Sequence, residues 1–189
     1  MVTKKYILAS GSPRRRELMA MLDLDFRVDT SKSVDEVVPQ SLPAEEVPGF
    51  LSRLKAEPYI AELKSDEVLI TADTVVILNG TVIGKPKDKT DAQRILSELA
   101  GNVHKVITGV SIARPGMPIE TFSETTEVEF DTLSEAEINY YIERYKPFDK
   151  AGAYGIQEWI GAAAVKGIRG SFYNVMGLPI HRLYTALRK

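Results

Sequence analysis

Cysteine is absent from the 189-residue chain, which excludes disulfides, thiol catalysis and thiolate metal sites and leaves redox logic silent on compartment. Histidine is scarce: with only His104 and His181, a multi-histidine metal site is not expected, so any metal should be a hard cation held by carboxylates. Neither sign of charge prevails. The 24 Lys and Arg against 26 Asp and Glu give a net charge of −2, far from the strongly basic footprint of a general nucleic-acid binder. No apolar run approaches a membrane span, and Lys4-Lys5 leads into a four-residue apolar run rather than a signal-peptide core. A cytoplasmic location is the default expectation. Internal repeats, low-complexity tracts and linkers are also missing. What remains is an ordinary globular composition, 44% hydrophobic and 26% charged. The length suits a single domain over residues 1–189 with a sizeable core.

The most informative stretch runs from Tyr6 to Met19. An apolar run, Tyr6-Ile7-Leu8-Ala9, reads as a buried strand and breaks into Ser10-Gly11-Ser12-Pro13. Ser12 suits an N-cap and Pro13 a first helical position, so a helix is expected over roughly 14–22. A strand feeding a small-residue turn and a helix start leaves backbone N–H groups that favour anions. Arg14, Arg15 and Arg16 strengthen that preference, because guanidinium forks match phosphate oxygens. Three basic residues in a first turn are either such a phosphate contact or simply a solvated face; they stand at the end of the helix whose dipole disfavours cations, which favours something negative there. Neither a Walker loop nor a dinucleotide fingerprint has this glycine spacing.

Further along, Phe26-Arg27-Val28 reads as a strand, residues 30–43 as a polar loop, and 44–63 as a helix kinked or split by Pro58. The run 68–72 reads as a buried strand ending at Asp73-Thr74, with 75–78 extended into an Asn79-Gly80 hairpin and 81–83 returning. A helix is expected over 91–100, strands over 104–113 and 121–130, and a helix from the Ser134/Glu137 capping box to about Tyr145. Residues 152–161 read as turns, 162–168 as a strand, 174–177 as a turn, and a last helix begins at Pro179. Hairpins mixed with crossovers point to an α/β or α+β class around a mixed sheet.

Three places can carry chemistry. Asp73, at the expected end of an apolar strand, either holds a divalent cation or a water, or merely terminates the strand. Lys85, pinned between a hairpin and Pro86, is a point-charge partner for a triphosphate or a solvated lysine. In Asp149–Gln157, small residues surround Tyr154; Gln157 either reads a base edge or is a buried amide in a tight structural turn.

In combination these segments are specific. SerGlySerProArgArg after a strand, AlaAspThrValVal, GlyLysPro, HisLysValIleThrGlyVal, AspLysAlaGlyAlaTyrGlyIleGln and AsnValMetGlyLeuPro occur in one order along one chain. The chain thereby resembles the Maf family of nucleoside triphosphate pyrophosphatases, from about Tyr6 to Leu187. The resemblance implies an α/β fold, a mixed twisted sheet flanked by helices with two lobes and a central cleft, similar to the inosine triphosphate pyrophosphatases. It also implies hydrolysis of a nucleoside triphosphate to monophosphate and diphosphate with a divalent cation, Mg²⁺ or Mn²⁺. Asp73 falls on the family's catalytic aspartate, and Arg14, Thr74 and Gln157 on positions linked to substrate choice. The pattern looks like the dTTP/UTP branch, since a glutamate in place of that glutamine is expected in the 7-methyl-GTP branch.

By the same resemblance, Ser10, Ser12, Arg14, Lys55 and Lys85 are expected to bind substrate phosphates. Asp73 and Glu36 would hold the metal, and Gln157 and Thr74 would read a pyrimidine. The range could extend to CTP or modified pyrimidine nucleotides, with a role in keeping modified nucleotides out of nucleic acid and in arrest of cell division. The expected partner is a small-molecule nucleoside triphosphate, with no nucleic acid and no membrane; a homodimer is the oligomeric option. The alternative is a nucleotide-responsive regulatory module of septum formation with incidental hydrolysis. The chain departs from the family pattern at Ala100-Gly101, where Ser-Gly is usual, and at Glu158-Trp159, where glycine commonly follows the glutamine. The second departure bears on base preference.

Overall fold

Strand β1 (Lys5–Leu8) buries Ile7 and Leu8 and hands the chain to the Ser10–Ser12 turn. A computed structural model describes residues 4–188. Helix α1 (Pro13–Ala20) begins as its sequence dictates, with Pro13 at the first position and the Ser12 hydroxyl accepting the Arg15 N–H. It stops two residues before the expected end, because tight bonds such as Leu22 N–H to Met19 carbonyl lead into Asp23 at φ 52°. Strand β2 (Phe26–Val28) follows. The helix expected over 44–63 comes in three pieces: a 3₁₀ turn at Ala44–Glu46, helix α2 (Val47–Ala56), and a 3₁₀ stretch at Glu57–Glu62. Pro58 lacks the N–H that an α-helix needs and tightens the chain where it enters.

Strand β3 (Glu67–Leu78) corrects the sequence reading. It runs twelve residues without a break, so Asp73 is its seventh residue and not its end. Extension persists because Val75, Val76, Ile77 and Leu78 are all buried and the Asp73 carboxylate is paired where it stands. The hairpin to β4 (Thr81–Ile83) turns through Asn79 and Gly80, both at positive φ, as a two-residue turn matched to strand twist requires. Helix α3 (Lys89–Leu99) is capped by Asp88, whose carboxylate accepts the Asp91 N–H at 2.8 Å. Strands β5 (Val103–Ala113) and β6 (Glu120–Phe130) precede α4 (Glu135–Tyr145), which carries the expected capping box.

The last quarter differs more. Helix α5 (Trp159–Ala164) takes the start of the expected 162–168 strand, leaving β7 as Val165–Arg169. Its Ala162-Ala163-Ala164 run favours helix intrinsically. A short helix, α6 (Phe172–Met176), stands where a turn was expected, and α7 (Ile180–Leu187) closes the described chain. Among the described residues, no helix is long and apolar enough to cross a membrane.

The sheet is mixed. Its order is β2-β1-β3-β5-β6-β7, with β4 paired to β3 alone. β1 runs parallel to β2 and to β3, with Tyr6 opposite Phe26 and Leu8 opposite Ile70. β6 and β7 are antiparallel with a register shift at Glu129/Phe130. The fold is therefore the α/β, mixed-sheet class that the sequence implies.

The residues group into two compact units. One comprises the chain up to Asp73, Thr108–Glu124 and the segment from Gly177; the other comprises Thr74–Ile107 and Thr125–Met176. In the first, Ile7, Ala56, Tyr59, Leu69 and Ala113 form a buried cluster. Here α2 approaches β5 so closely that a Cβ on Gly109 would lie 2.2 Å from the Pro48 carbonyl carbon. In the second, α3 and α4 bury Ile95, Leu96, Ile138 and Tyr141 with Val106 and Phe130 of the sheet.

Candidate functional site

In the first unit the arginine run separates into different roles. Arg15 Nε donates to the Gly177 carbonyl at 2.9 Å, and its Nη1 to the Ala72 carbonyl at 2.8 Å and to Ser10 Oγ at 3.4 Å. Three separate segments meet on one guanidinium fork. Burial pulls the Arg15 pKa down, partly offset by the charge of Asp73. Arg15 thus supports the loop, as its neighbour Arg14 lies half-buried on the same first turn and Arg16 is exposed. Ser10 Oγ also accepts the Ser12 N–H at 3.3 Å, which shapes the turn itself.

Lys55 joins this group from the last turn of α2, where a cation complements the helix dipole. Its register is set one turn earlier. The Ser52 carbonyl accepts the Thr71 hydroxyl at 2.6 Å, and the Ser52 hydroxyl bonds Ser111 Oγ at 2.9 Å. The Lys55 ammonium therefore reaches Asp73 Oδ1 at 2.6 Å and Glu36 Oε2 at 3.2 Å. Asp73 is the more enclosed carboxylate, with 14% of its side chain exposed against 49% for Glu36. Sequence reasoning named Ser10, Lys55, Asp73 and Glu36 but not Ser52, Thr71 or Ser111, and the fold joins the four named residues in one connected set through Arg15 and the Ala72-Asp73 step.

Two carboxylates converging on one ammonium are also the pair that can hold a hard cation. Among the described residues, no cluster of three or more His, Cys, Asp or Glu could hold a metal on protein ligands alone. The donor set fits a cation of the Mg²⁺ kind, which takes one or two carboxylates and fills its shell with phosphate oxygens and water.

In the second unit, the Gly84 carbonyl accepts the Gly152 N–H at 3.1 Å, so Gly84-Lys85-Pro86 lies beside the Ala151–Ala153 turn. Lys85 is exposed while Pro86 is buried. Gly152 sits at φ 71° with a Val76 methyl 2.8 Å from where a Cβ would be. Tyr154 is wholly structural: its hydroxyl pairs with His104 Nε2 at 2.7 Å, and both rings pack edge-on to Phe130. Burial pulls His104 down to about 4. Gln157 is exposed, which overturns the reading of it as a buried structural amide. Thr74 follows Asp73 in β3 and is half-buried.

One network escaped the sequence. Lys150, buried, pairs with Asp149 at 2.9 Å and with Glu158 at 3.2 Å. The Tyr141 hydroxyl donates to the other Glu158 oxygen and accepts the Gly155 N–H at 3.0 Å. Burial, then the bond to Glu158, pushes the Tyr141 pKa up. The only signal was Glu158 itself, a charge where glycine is usual. Tyr141 reads simply as a core residue of an amphipathic helix. Trp159 packs edge-on against Tyr140 at 5.1 Å, so both residues of the Glu158-Trp159 departure turn toward α4.

A protein of Phocaeicola vulgatus named dTTP/UTP pyrophosphatase is 51% identical over 98% of this chain and 95% of its own. One of the same name from Porphyromonas gingivalis is 49% identical over 98% and 94%. Among solved structures, a HAM1 protein from Coxiella burnetii superposes with a TM-score of 0.51 at 15% identity, over 98% of this chain and 99% of that one, which speaks to the fold alone. The family model described as Maf-like protein matches residues 5–189, and with relatives at half identity along nearly the whole length, this chain belongs to the Maf family.

Proposed function

We propose that the protein is a nucleoside triphosphate pyrophosphatase that hydrolyses dTTP and UTP to the monophosphate and diphosphate. The observation that carries the reading is the Lys55 ammonium shared by Asp73 and Glu36, beside a serine–arginine turn held by Arg15. Relatives at about half identity carry the name of that activity. CTP and modified pyrimidine nucleotides fall within the proposed range, and a cellular role in clearing modified nucleotides or arresting division would follow from it.

The chain's own groups divide the work by chemistry. Arg14, Lys55 and Lys85, with the Ser10 and Ser12 hydroxyls and the turn amides, neutralise and orient the triphosphate, which is where most catalysis of phosphoryl transfer lies. When the triphosphate oxygens take the Lys55 ammonium, the Asp73 carboxylate is released to orient a water and accept its proton. The water oxygen bonds to the α-phosphorus as the bond from that phosphorus to the bridging oxygen breaks. The electron pair leaves with diphosphate. Glu36 and Asp73 would hold Mg²⁺ or Mn²⁺, which supplies charge neutralisation of the phosphates when bound. Gln157 and Thr74 read the base, since an amide with both donor and acceptor suits a pyrimidine edge.

The test is diphosphate release from dTTP and UTP with Mg²⁺ or Mn²⁺, by wild type and Asp73→Asn. Multiple turnover in the wild type, with a loss of about 10²-fold or more in kcat for the variant, is expected for removal of a positioned acid–base group. Retention of near-normal release by Asp73→Asn contradicts the assignment.

A further inference from the structure

Gln157 stands third in a hydrogen-bonded turn, Gly155-Ile156-Gln157-Glu158, whose base is the Glu158 N–H donating to the Gly155 carbonyl at 3.0 Å. The same two residues are joined a second time through side chains. The Gly155 N–H donates to the Tyr141 hydroxyl, and that hydroxyl donates to the Glu158 carboxylate. Lys150 holds the remaining Glu158 oxygen. The turn is thus clamped at both ends onto α4 and the Asp149-Lys150 segment. Packing leaves no slack: a Cβ on Gly155 would come within 2.9 Å of Glu158 Cδ. Ile156 is buried beneath the turn, and Gln157 alone of its central residues faces solvent.

We infer that Glu158, locked by Tyr141 and Lys150, is a positioning residue for base recognition, fixing the backbone from which the Gln157 amide projects. The inference rests on the reading of Gln157 as a base contact. Glu158 does not itself offer a charge to the base, because both carboxylate oxygens are engaged within the protein. Its contribution is preorganisation. An amide presented from a turn with a single backbone bond samples several directions, whereas a doubly tethered turn presents one, and that difference appears in binding rather than in bond cleavage.

Tyr141→Phe, Glu158→Ala and Glu158→Gln separate this role from a structural one. Two quantities are measured for each: KM and kcat for UTP, and the inhibition constant of inorganic tripolyphosphate, which has phosphates but no base. Tyr141→Phe and Glu158→Ala should raise the UTP KM by about 10-fold, the worth of one polar contact, with kcat and tripolyphosphate inhibition nearly unchanged. Glu158→Gln, which keeps an acceptor for the Tyr141 hydroxyl but turns a donor toward Lys150, should recover part of the loss. If UTP KM and tripolyphosphate inhibition weaken together, or neither moves in a folded variant, the inference is overturned. Should Glu158→Ala not fold, the near-isosteric Tyr141→Phe carries the same two readouts. Wild-type protein that releases no diphosphate from UTP or dTTP would instead overturn the functional reading beneath it.

Discussion

Arg15 and Arg16 are adjacent and chemically identical, yet the fold uses them in opposite ways. Arg15 ties the opening turn to the Ala72 and Gly177 carbonyls, while Arg16 is exposed. Arg15→Ala should cost about 2–4 kcal/mol of stability, since two buried carbonyls lose charged donors, and Arg16→Ala should stay within about 0.5 kcal/mol. Urea denaturation of the two variants measures the contrast, and Arg15→Lys should rescue little because an ammonium cannot span the same acceptors. Gln157 gives a second residue-scale expectation. Gln157→Glu replaces the amide donor by an acceptor-only group, so the ratio of kcat/KM for UTP over purine triphosphates should fall; an unchanged ratio would place base reading elsewhere. Of the candidate site itself, the residues assigned to the phosphates could be named from sequence because their types and order suggest that chemistry. The Tyr141–Glu158–Lys150 clamp was not, because it joins a helix, a turn and a loop that no sequence spacing relates.

Elements obey the same division between local and tertiary causes. The contact of α2 with β5 is tertiary: Gly109 exists because the Pro48-Gly49 backbone occupies its side-chain space. Gly109→Ala should destabilise by about 3 kcal/mol or more, as overpacking against backbone leaves no rotamer to yield, and thermal unfolding will show it. A variant as stable as wild type would mean that α2 can retreat. Elements with their own signals were readable from sequence: α1 by its Ser12 cap and Pro13, α4 by its capping box, and the β3–β4 hairpin by Asn79-Gly80. β3 was misjudged because Asp73 looks like a stop. Its carboxylate is answered by Lys55, eighteen positions earlier, so the strand continues through it. The helices α5 and α6, of six and five residues, are too short for periodicity to reveal; isolated helices of that length do not hold in water and depend on packing.

Acid stability belongs to the whole molecule, and His104 sets its expected form. Buried between Tyr154 and Phe130, it is held down at about 4 against an ordinary 6.5. In the range between, the unfolded chain binds a proton that the folded protein does not. Stability is therefore fully present above about pH 6.5 and is lost as pH falls toward 4, by roughly 3 kcal/mol from this residue. Asp29, held down to about 2 by its hydrogen bonds with Ser31, acts in a lower window, below its ordinary 3.8. Urea midpoints across pH 7 to 4 should fall in wild type and fall less steeply in His104→Gln; parallel slopes would contradict the assignment.

Hydrolysis of pyrimidine nucleoside triphosphates by the Lys55, Asp73 and Glu36 set is the activity proposed for this Maf family chain. The most direct measurement is kcat/KM for diphosphate release over dTTP, UTP, CTP, ATP and GTP, with Mg²⁺ or Mn²⁺. Multiple turnover with dTTP and UTP is expected at least about 10-fold above ATP and GTP, a discrimination within reach of a few polar contacts. Tight binding without product, or a preference for the purine nucleotides, would contradict it.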